Sequence, residues 1–224
     1  MRIPTRFNGP PASANGGYTC GLVAAELGAA SAEVTLRAPP PLDTELTVEH
    51  SGDAVSVSDG DTLVAEGRAA EVDVGPLPEP VSHAEASRAV SAGIDRWTAN
   101  HPFPTCFVCG PDRPDGDGLD IFPVDAGGGS YSSPWTPEEP DMVWAALDCP
   151  TSAPGANWGE GPPIVLARLA VAIDVEPALG EPHVVMSWAL GREGRKREAA
   201  AVLFDRDGTA LARSRALWIE LRQE

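Results

Sequence analysis

Alternating apolar and polar side chains predict an antiparallel meander in the first third of the chain. Residues Ala32–Arg37 alternate at every position, which is the period of a half-buried strand. A second strand is expected at Leu46–Glu49, and a third and a fourth on either side of Ser58–Asp61. That turn contains the Asp-Gly pair that tight hairpins favour, because glycine tolerates a positive φ.

The segment ahead of these strands is predicted to be a helix. Tyr18–Leu27 is rich in Ala, Leu and Val, follows Asn15-Gly16-Gly17 and ends at Gly28. A glycine directly after the last helical residue is a common C-terminal cap. The expected order in this part of the chain is therefore a helix and then strands.

The second half of the chain shows the same order of patterns. A helical stretch is expected around Asp141–Asp148, followed by strands at Leu169–Val175 and His183–Leu190. The last hairpin is expected to turn at Asp205–Gly208. The two halves are thus predicted to contain similar elements.

We interpret this similarity as an internal duplication. Asp59–Ala69 resembles Asp207–Ala216 once one residue is gapped. Chance similarity between two Asp-Gly hairpins is the alternative, because such turns are common in unrelated sheets. The predicted organisation is a first repeat over residues 1–75, a linker over residues 76–118 and a second repeat over residues 119–224.

The linker is predicted to contain a stiff connector and a helix. Gly75–Pro80 is rich in proline, which restricts the backbone. Ser82 and Glu85 have the spacing of a capping box, and apolar residues between Ala86 and Trp97 fall on one helical face. This helix is expected to pack as part of the scaffold.

Composition and charge narrow the range of partners. The 224 residues include 16 basic and 33 acidic side chains, and the resulting net charge of −17 argues against binding to nucleic acid. No run reaches the roughly 20 apolar residues of a membrane helix, and no apolar signal segment follows the N-terminus. We expect a cytoplasmic protein without nucleic-acid or membrane partners, whose four cysteines are thiols or metal ligands rather than disulfides.

Several short motifs, taken in order, resemble those of the hotdog-fold thioesterases in their double-hotdog form. The motifs span most of the chain outside residues 76–118 and are Phe7–Pro11, Asn15–Tyr18, Val34–Arg37, Pro41–Asp43 and Val143–Pro150. The resemblance implies an α+β fold in which two antiparallel sheets each wrap around a central helix. It also implies that the two halves pair as two subunits pair in single-hotdog enzymes.

Thioester hydrolysis, the activity that this resemblance implies, needs donors for the negative charge that develops on the carbonyl oxygen. Backbone N–H groups at a helix N-terminus suit that task, and Gly16 and Gly17 are the candidates. Asn15 is expected to hold this loop or to contact the acyl group. The alternative is that Asn-Gly-Gly is only a turn that caps a helix.

Hydrolysis also needs a carboxylate to activate water or to attack the carbonyl. Related single-hotdog thioesterases carry an acid about two turns into the helix, where this chain has Ala24. Glu26 and Asp148 are the candidates, and Asp141 is a weaker one because acids in the first turn often serve the helix dipole. The alternatives are a solvated helix residue for Glu26 and a helix-ending residue for Asp148.

One dense group of cationic side chains is a candidate for binding the phosphates of coenzyme A. It consists of Arg192, Arg195, Lys196 and Arg197. An exposed hairpin loop that happens to be basic is the alternative.

Cys106 and Cys109 have the spacing of a zinc knuckle, and His101 precedes them by five residues. A closed zinc site needs four ligands, and the chain has no second Cys-x-x-Cys, so the fourth ligand would have to come from Cys20, Cys149 or an outside group. An ordered loop between the repeats is favoured over a zinc site. We therefore expect no metal and no cofactor.

Together these observations predict an acyl-thioester hydrolase, with acyl-CoA as the expected substrate and a site at the interface of the two repeats. The alternative is a non-catalytic acyl-binding or acyl-CoA-binding hotdog protein that has lost the acid. The expected assembly is a monomer or a homodimer. The sequence does not specify the length of the acyl chain or the thiol carrier.

Overall fold

Ten strands and three helices make up the computed structural model, which describes residues 1–114, 116–157 and 160–222. The helices are α1 (Gly16–Leu27), α2 (His83–Thr98) and α3 (Val143–Ala146), with 3-10 turns at Thr5–Phe7 and Cys149–Gly155. The strands are β1 (Ser31–Leu36), β2 (Thr47–Ser51), β3 (Ala54–Asp59), β4 (Thr62–Ala69), β5 (Val124–Gly127), β6 (Ser130–Trp135), β7 (Ile164–Ile173), β8 (His183–Glu193), β9 (Lys196–Phe204) and β10 (Ala210–Glu220). Among the described residues, none of the helices has the length and apolar composition to cross a membrane.

All ten strands belong to one antiparallel sheet, in the order β2-β3-β4-β1-β7-β10-β9-β8-β6-β5. The sequence predicted two separate sheets, and this expectation is corrected. The two halves share a sheet because β1 pairs with β7, with Val34 opposite Leu169. On one side of this junction the order is β1-β4-β3-β2, and on the other it is β7-β10-β9-β8.

Helix α1 packs against β1, β3, β4 and β7. Val23 is fully buried there, and the side chain lies so close to Gly67 that a Cβ on that glycine would be 2.9 Å from Val23 Cγ1. Burial of a valine side chain stabilises the fold by roughly 1.5–3 kcal/mol. This packing fixes the position of the helix and of its N-terminus.

Local capping sets both ends of α1. The Asn15 side chain accepts a hydrogen bond from the Tyr18 N–H at 2.8 Å, and Gly28 adopts the left-handed conformation with φ of 61°. The helix begins at Gly16, two residues earlier than the sequence pattern indicated, because Asn15 satisfies a free N–H of the first turn. The C-terminal end agrees with the prediction.

The linker helix α2 has the predicted capping box, in which Ser82 and Glu85 exchange hydrogen bonds. Ala86 is buried in an apolar cluster with residues of β8 and β9, and the Trp97 indole donates to the Cys109 carbonyl at 3.1 Å. The helix therefore ties the β5 end of the sheet to the loop that contains the Cys-x-x-Cys motif.

The helical region of the second half is shorter than predicted. A helix over Asp141–Asp148 was expected, but α3 is a single turn that passes into the 3-10 segment. Asp141 has a left-handed φ of 62°, and Pro150 has no N–H with which to continue an α-helix. The described part of the second half thus has no long central helix, which corrects the expectation of one central helix for each sheet.

Candidate active site

A cavity of about 670 Å³ is lined by segments from both halves and from the linker. Its wall includes the start of α1, the end of β1 and the loop after it, the end of α2, the loop after α2, the α3 to 3-10 junction, and parts of β7 and β10. Most of these segments contribute apolar side chains, such as Trp97, Leu166 and Trp218. Such a cavity suits an apolar group with a few polar contacts.

Asp148 is the acidic residue on this cavity wall, and its side chain is 1% exposed. Its Oδ2 accepts hydrogen bonds from the Gly17 N–H at 2.8 Å and from Asn15 Nδ2 at 3.2 Å. Its Oδ1 is buried and has no hydrogen-bond partner among the described residues. The structure therefore brings Asn15, Gly17 and Asp148 together at the cavity wall, with the hydrogen bonds on one oxygen of the carboxylate.

Gly17 makes this close contact possible. A Cβ at this position would lie 2.3 Å from Asp148 Cβ and 2.7 Å from the Trp144 carbonyl oxygen. Only glycine lets α1 approach the Asp148 segment closely enough for the N–H to reach the carboxylate. The Asn-Gly-Gly sequence thus serves both as a helix cap and as a docking point for Asp148.

Burial raises the pKa of Asp148 to about 7. The hydrogen bond from the Gly17 N–H lowers it, the nearby Cys106 raises it, and the Asn15 amide lowers it, so the effect of burial prevails. The carboxyl group has a low-dielectric environment and fixed donors on one oxygen.

The two glycine amides differ in what they contact. The Gly17 N–H donates to Asp148 and so holds the carboxylate, whereas the sequence proposed it as a donor to the thioester oxygen. Gly16 lies in the first turn of α1 and lines the cavity, and its N–H takes part in no hydrogen bond within the described ranges. Of the two amides, that of Gly16 therefore has no partner in the described ranges, and it lies at the positive end of the helix dipole.

Glu26 does not reach the cavity. It is exposed on α1, with Oε2 3.4 Å from the His50 Nε2 on β2. Nine residues separate it from Gly17, which corresponds to about 13 Å along a helix. The structure therefore places Glu26 at the far end of α1 and does not bring it together with Asn15, Gly17 and Asp148.

The cationic cluster predicted to bind phosphate lies at the β8–β9 hairpin and does not line the cavity. Arg192, Arg195 and Lys196 are exposed there. Arg197 is 3% exposed and pairs with Glu220 at 2.6 Å, so it has a structural role in the hairpin. The structure therefore does not bring the cluster to the cavity wall that Asp148 and Gly16 line.

Two other cationic residues line the cavity, and sequence reasoning missed both. Arg37 follows β1 and is hydrogen-bonded to Glu66, and Arg96 is exposed near the end of α2. Neither belongs to a dense run of charges in the sequence. They line the same cavity only because β1 and α2 pack around it.

The loop that follows α2, residues 99–114, is called the linker loop here. Aromatic and cationic side chains hold it against the start of α1. Phe7 stacks on Tyr18 with ring centroids 3.8 Å apart, and Phe107 meets Phe7 edge to face at 4.9 Å. The Arg113 guanidinium donates to the Asn8 Oδ1 and to backbone carbonyls on both sides of this contact. Phe107 and Arg113 were not singled out from the sequence, because their partners lie far away along the chain.

Three of the four cysteines lie together on the same wall. The Sγ atoms of Cys106, Cys109 and Cys149 all lie within 4.8 Å of one another, while Cys20 is buried in α1 outside this group. Hydrogen bonds from Cys109 and from Cys149 hold the pKa of the Cys106 thiol well below its ordinary value. We call these three residues the thiol cluster.

Comparison with known proteins gives a match in structure only. No protein-family profile matches the sequence, and no curated protein matches it. The solved structure of a conserved protein with a hotdog fold from Alicyclobacillus acidocaldarius superposes with a TM-score of 0.58 and 11% identity, over 100% of this chain and 92% of that chain. The chain has a hotdog fold.

Two further hotdog structures are similar over nearly the whole chain. The tesB protein of Mycobacterium avium subspecies paratuberculosis has a TM-score of 0.62 and 13% identity, covering 99% of this chain and 91% of that chain. The acyl-CoA thioesterase II TesB2 of Mycobacterium marinum has a TM-score of 0.57 and 12% identity, covering 95% of this chain and 91% of that chain. At such identities the likeness establishes the hotdog fold and no more.

Proposed function

We propose that this hotdog protein hydrolyses an acyl-thioester in the cavity, with Asp148 as the general base. The observation that carries the proposal is the buried Asp148 carboxylate, which is held through Oδ2 by Gly17 and Asn15 while Oδ1 is unpaired among the described residues. The hydrogen bonds to Gly17 and Asn15 place the carboxylate beside the N-terminus of α1. A preorganised base and a helix N-terminus are the two groups that acyl transfer to water requires.

In the proposed reaction the water oxygen attacks the carbonyl carbon and its proton passes to Asp148. The carbonyl oxygen becomes negatively charged and accepts a hydrogen bond from the Gly16 N–H. The C–S bond then breaks, and the departing sulfur takes the proton back. The products are a carboxylic acid and a thiol.

Acyl-CoA is the substrate that we propose. The apolar cavity wall suits an acyl chain, and Arg37 and Arg96 offer guanidinium groups for phosphate oxygens. One structural neighbour carries the name acyl-CoA thioesterase II, which supports this substrate class at the level of the fold. The composition, with a net charge of −17, supports a small-molecule partner rather than nucleic acid.

We further propose a double hotdog with its active site at the seam between the halves. The repeats would be residues 1–75 and 119–224, with residues 76–118 as the linker. The mirrored strand order on either side of the β1–β7 junction supports a duplication. A monomer or homodimer in the cytoplasm is the assembly and location that we propose.

A second candidate function is acyl-CoA binding without catalysis. It is favoured by one observation: the Gly17 N–H, expected as half of an oxyanion-binding pair, is occupied by Asp148. A site with only one free donor could hold an acyl group without turning it over. The two functions differ in whether thiol is released.

Thiol release from a series of acyl-CoA substrates of increasing chain length tests these proposals. We expect turnover by the native protein, a 10²- to 10⁴-fold lower kcat in Asp148→Asn, as for loss of a general base, and unchanged kcat in Glu26→Gln. Calorimetric titration with acyl-CoA checks that Asp148→Asn still binds. Binding without turnover by the native protein would favour the second candidate function, and equal losses in both variants would contradict the role of Asp148.

A further inference from the structure

The thiol cluster joins two segments that are distant in the sequence. Cys106 and Cys109 lie in the linker loop, and Cys149 begins the 3-10 segment directly after Asp148. All three side chains are buried, and Cys106 Sγ is 3.7 Å from Cys149 Sγ. The proposed hydrolysis uses none of these sulfurs.

The linker loop is wound closely around Cys106. The Gly110 N–H donates to the Cys106 carbonyl oxygen at 2.9 Å. A Cβ on Gly110 would lie 2.4 Å from the Cys106 nitrogen, so the loop can close this tightly only with glycine there. N–H groups directed at sulfur stabilise a thiolate, which is the form that binds metals.

Side-chain N–H groups lie next to all three sulfurs. Asn15 Nδ2 lies 3.8 Å from Cys106 Sγ and 3.7 Å from Cys149 Sγ. His101 Nε2 lies 3.5 Å from Cys109 Sγ, and His101 Nδ1 accepts the Phe103 N–H at 3.1 Å. Because Nδ1 is an acceptor, the neutral ring carries its proton on Nε2 and donates it to Cys109. Each sulfur thus has an N–H donor of the kind that surrounds metal-bound thiolates.

The Cys106–Cys149 pair of sulfurs has the spacing found on a tetrahedral zinc ion. With Zn–S bonds of about 2.3 Å, two sulfurs on a tetrahedral zinc are about 3.8 Å apart. The Cys106–Cys149 distance of 3.7 Å agrees with this value and is far longer than the S–S bond of about 2.05 Å in a disulfide. Three clustered thiols suit a soft metal such as Zn²⁺ better than Mg²⁺ or Ca²⁺, which prefer oxygen ligands.

We propose that Cys106, Cys109 and Cys149 bind one Zn²⁺ ion as thiolates, with a water from the cavity as the fourth ligand. Each thiol loses its proton as its S–Zn bond forms. In the described ranges no fourth Cys, His, Asp or Glu offers a ligand atom within 4.8 Å of all three sulfurs, and all three cysteines line the cavity. His101 acts as a hydrogen-bond donor to Cys109 rather than as a ligand.

Such an ion would fasten the linker loop to the residue that follows Asp148. The loop forms part of the cavity wall, and it also contacts Phe7 through Phe107 and α2 through the Trp97 hydrogen bond. Metal binding is therefore expected to stabilise the cavity wall. This inference stands whether or not the protein hydrolyses thioesters.

The metal content of the full chain tests the proposal. The protein is purified without a metal-affinity tag under reducing conditions, incubated with excess ZnCl₂, dialysed and analysed by plasma mass spectrometry. We expect one zinc per chain, which is lost in Cys106→Ser, Cys109→Ser and Cys149→Ser but retained in the matched control Cys20→Ala. His101→Gln, which keeps an N–H donor, is also expected to retain it.

Cobalt substitution of the native chain gives a readout that does not depend on whether the serine variants fold. Co²⁺ bound by thiolates is expected to give a sulfur-to-metal charge-transfer band in the near ultraviolet and intense tetrahedral d–d bands in the visible. Zinc at the level of the buffer in the native chain, or absence of the charge-transfer band, would overturn the proposal. Full zinc content in all three serine variants would overturn it as well.

Discussion

At the scale of single residues, the contact between Gly17 and Asp148 decides what the cavity can do. The Gly17 nitrogen lies 2.8 Å from Asp148 Oδ2, although the two residues are 131 positions apart in the sequence. Helix propensity does not explain Gly17, because a glycine in the first turn of a helix weakens that helix. The glycine is explained by the close approach of Asp148, which a Cβ at position 17 would block.

Replacement of Gly17 by alanine tests this contact. We expect Gly17→Ala to lower the free energy of unfolding by about 1–3 kcal/mol, as overpacking does, and to displace Asp148. Gly93→Ala in α2 is the matched control. A Cβ on Gly93 would lie at an ordinary 3.5 Å from Val124, so this change should be neutral or stabilising. Urea unfolding of both variants measures the difference, and equal stability of the two would contradict the steric explanation.

At the scale of elements, the cavity depends on a loop that has little secondary structure. The linker loop is attached through Arg113, whose guanidinium contacts Asn8, Thr105, the Arg6 carbonyl and Asp117. The Arg113 side chain itself is only 6% exposed. A fork of several N–H groups in one plane is needed to reach partners on two sides at once.

Arg113→Lys keeps the charge and removes the fork. We expect this variant to lose about 1.5–3 kcal/mol of stability, the value of a hydrogen bond to a charged group, and to expose the loop to limited proteolysis. Arg206→Lys, at an exposed position in the β9–β10 hairpin, is the control and should leave both unchanged. A stability of Arg113→Lys equal to that of the native chain would show that charge alone holds the loop.

At the scale of the whole molecule, the β1–β7 pairing makes one sheet out of two halves. Leu169 on β7 is fully buried and lies opposite Val34 on one side and Ala216 on the other. Because a continuous sheet and core cross this junction, neither half is expected to unfold alone. The cavity, which draws on both halves, should be lost in the same transition.

Truncation of Leu169 at this junction tests that cooperativity. We expect Leu169→Ala to cost about 2–5 kcal/mol and to shift the unfolding midpoints measured by tryptophan fluorescence and by far-ultraviolet circular dichroism together. Leu179→Ala, at an exposed position outside the strands, should leave the midpoint unchanged. Two separate transitions, only one of them shifted by Leu169→Ala, would contradict a single folding unit.

Sequence patterns determined the local elements because these depend on neighbours a few residues away. The alternation in β1, the Asp-Gly hairpins, the cap at Gly28 and the capping box at Ser82 all lie where the sequence predicted. Asn15, Gly16, Gly17 and Asp148 were also proposed from the sequence, although the partner of each was not.

Tertiary packing alone decided which of the candidate residues meet. It joined the halves into one sheet, placed Asp148 on the Gly17 N–H and brought Cys149 to Cys106, and it left Glu26 and the Arg192–Arg197 hairpin outside the cavity. Contacts across more than a hundred residues are set by the burial of apolar faces and by steric fit in the folded chain. No periodicity within a short stretch of sequence carries that information.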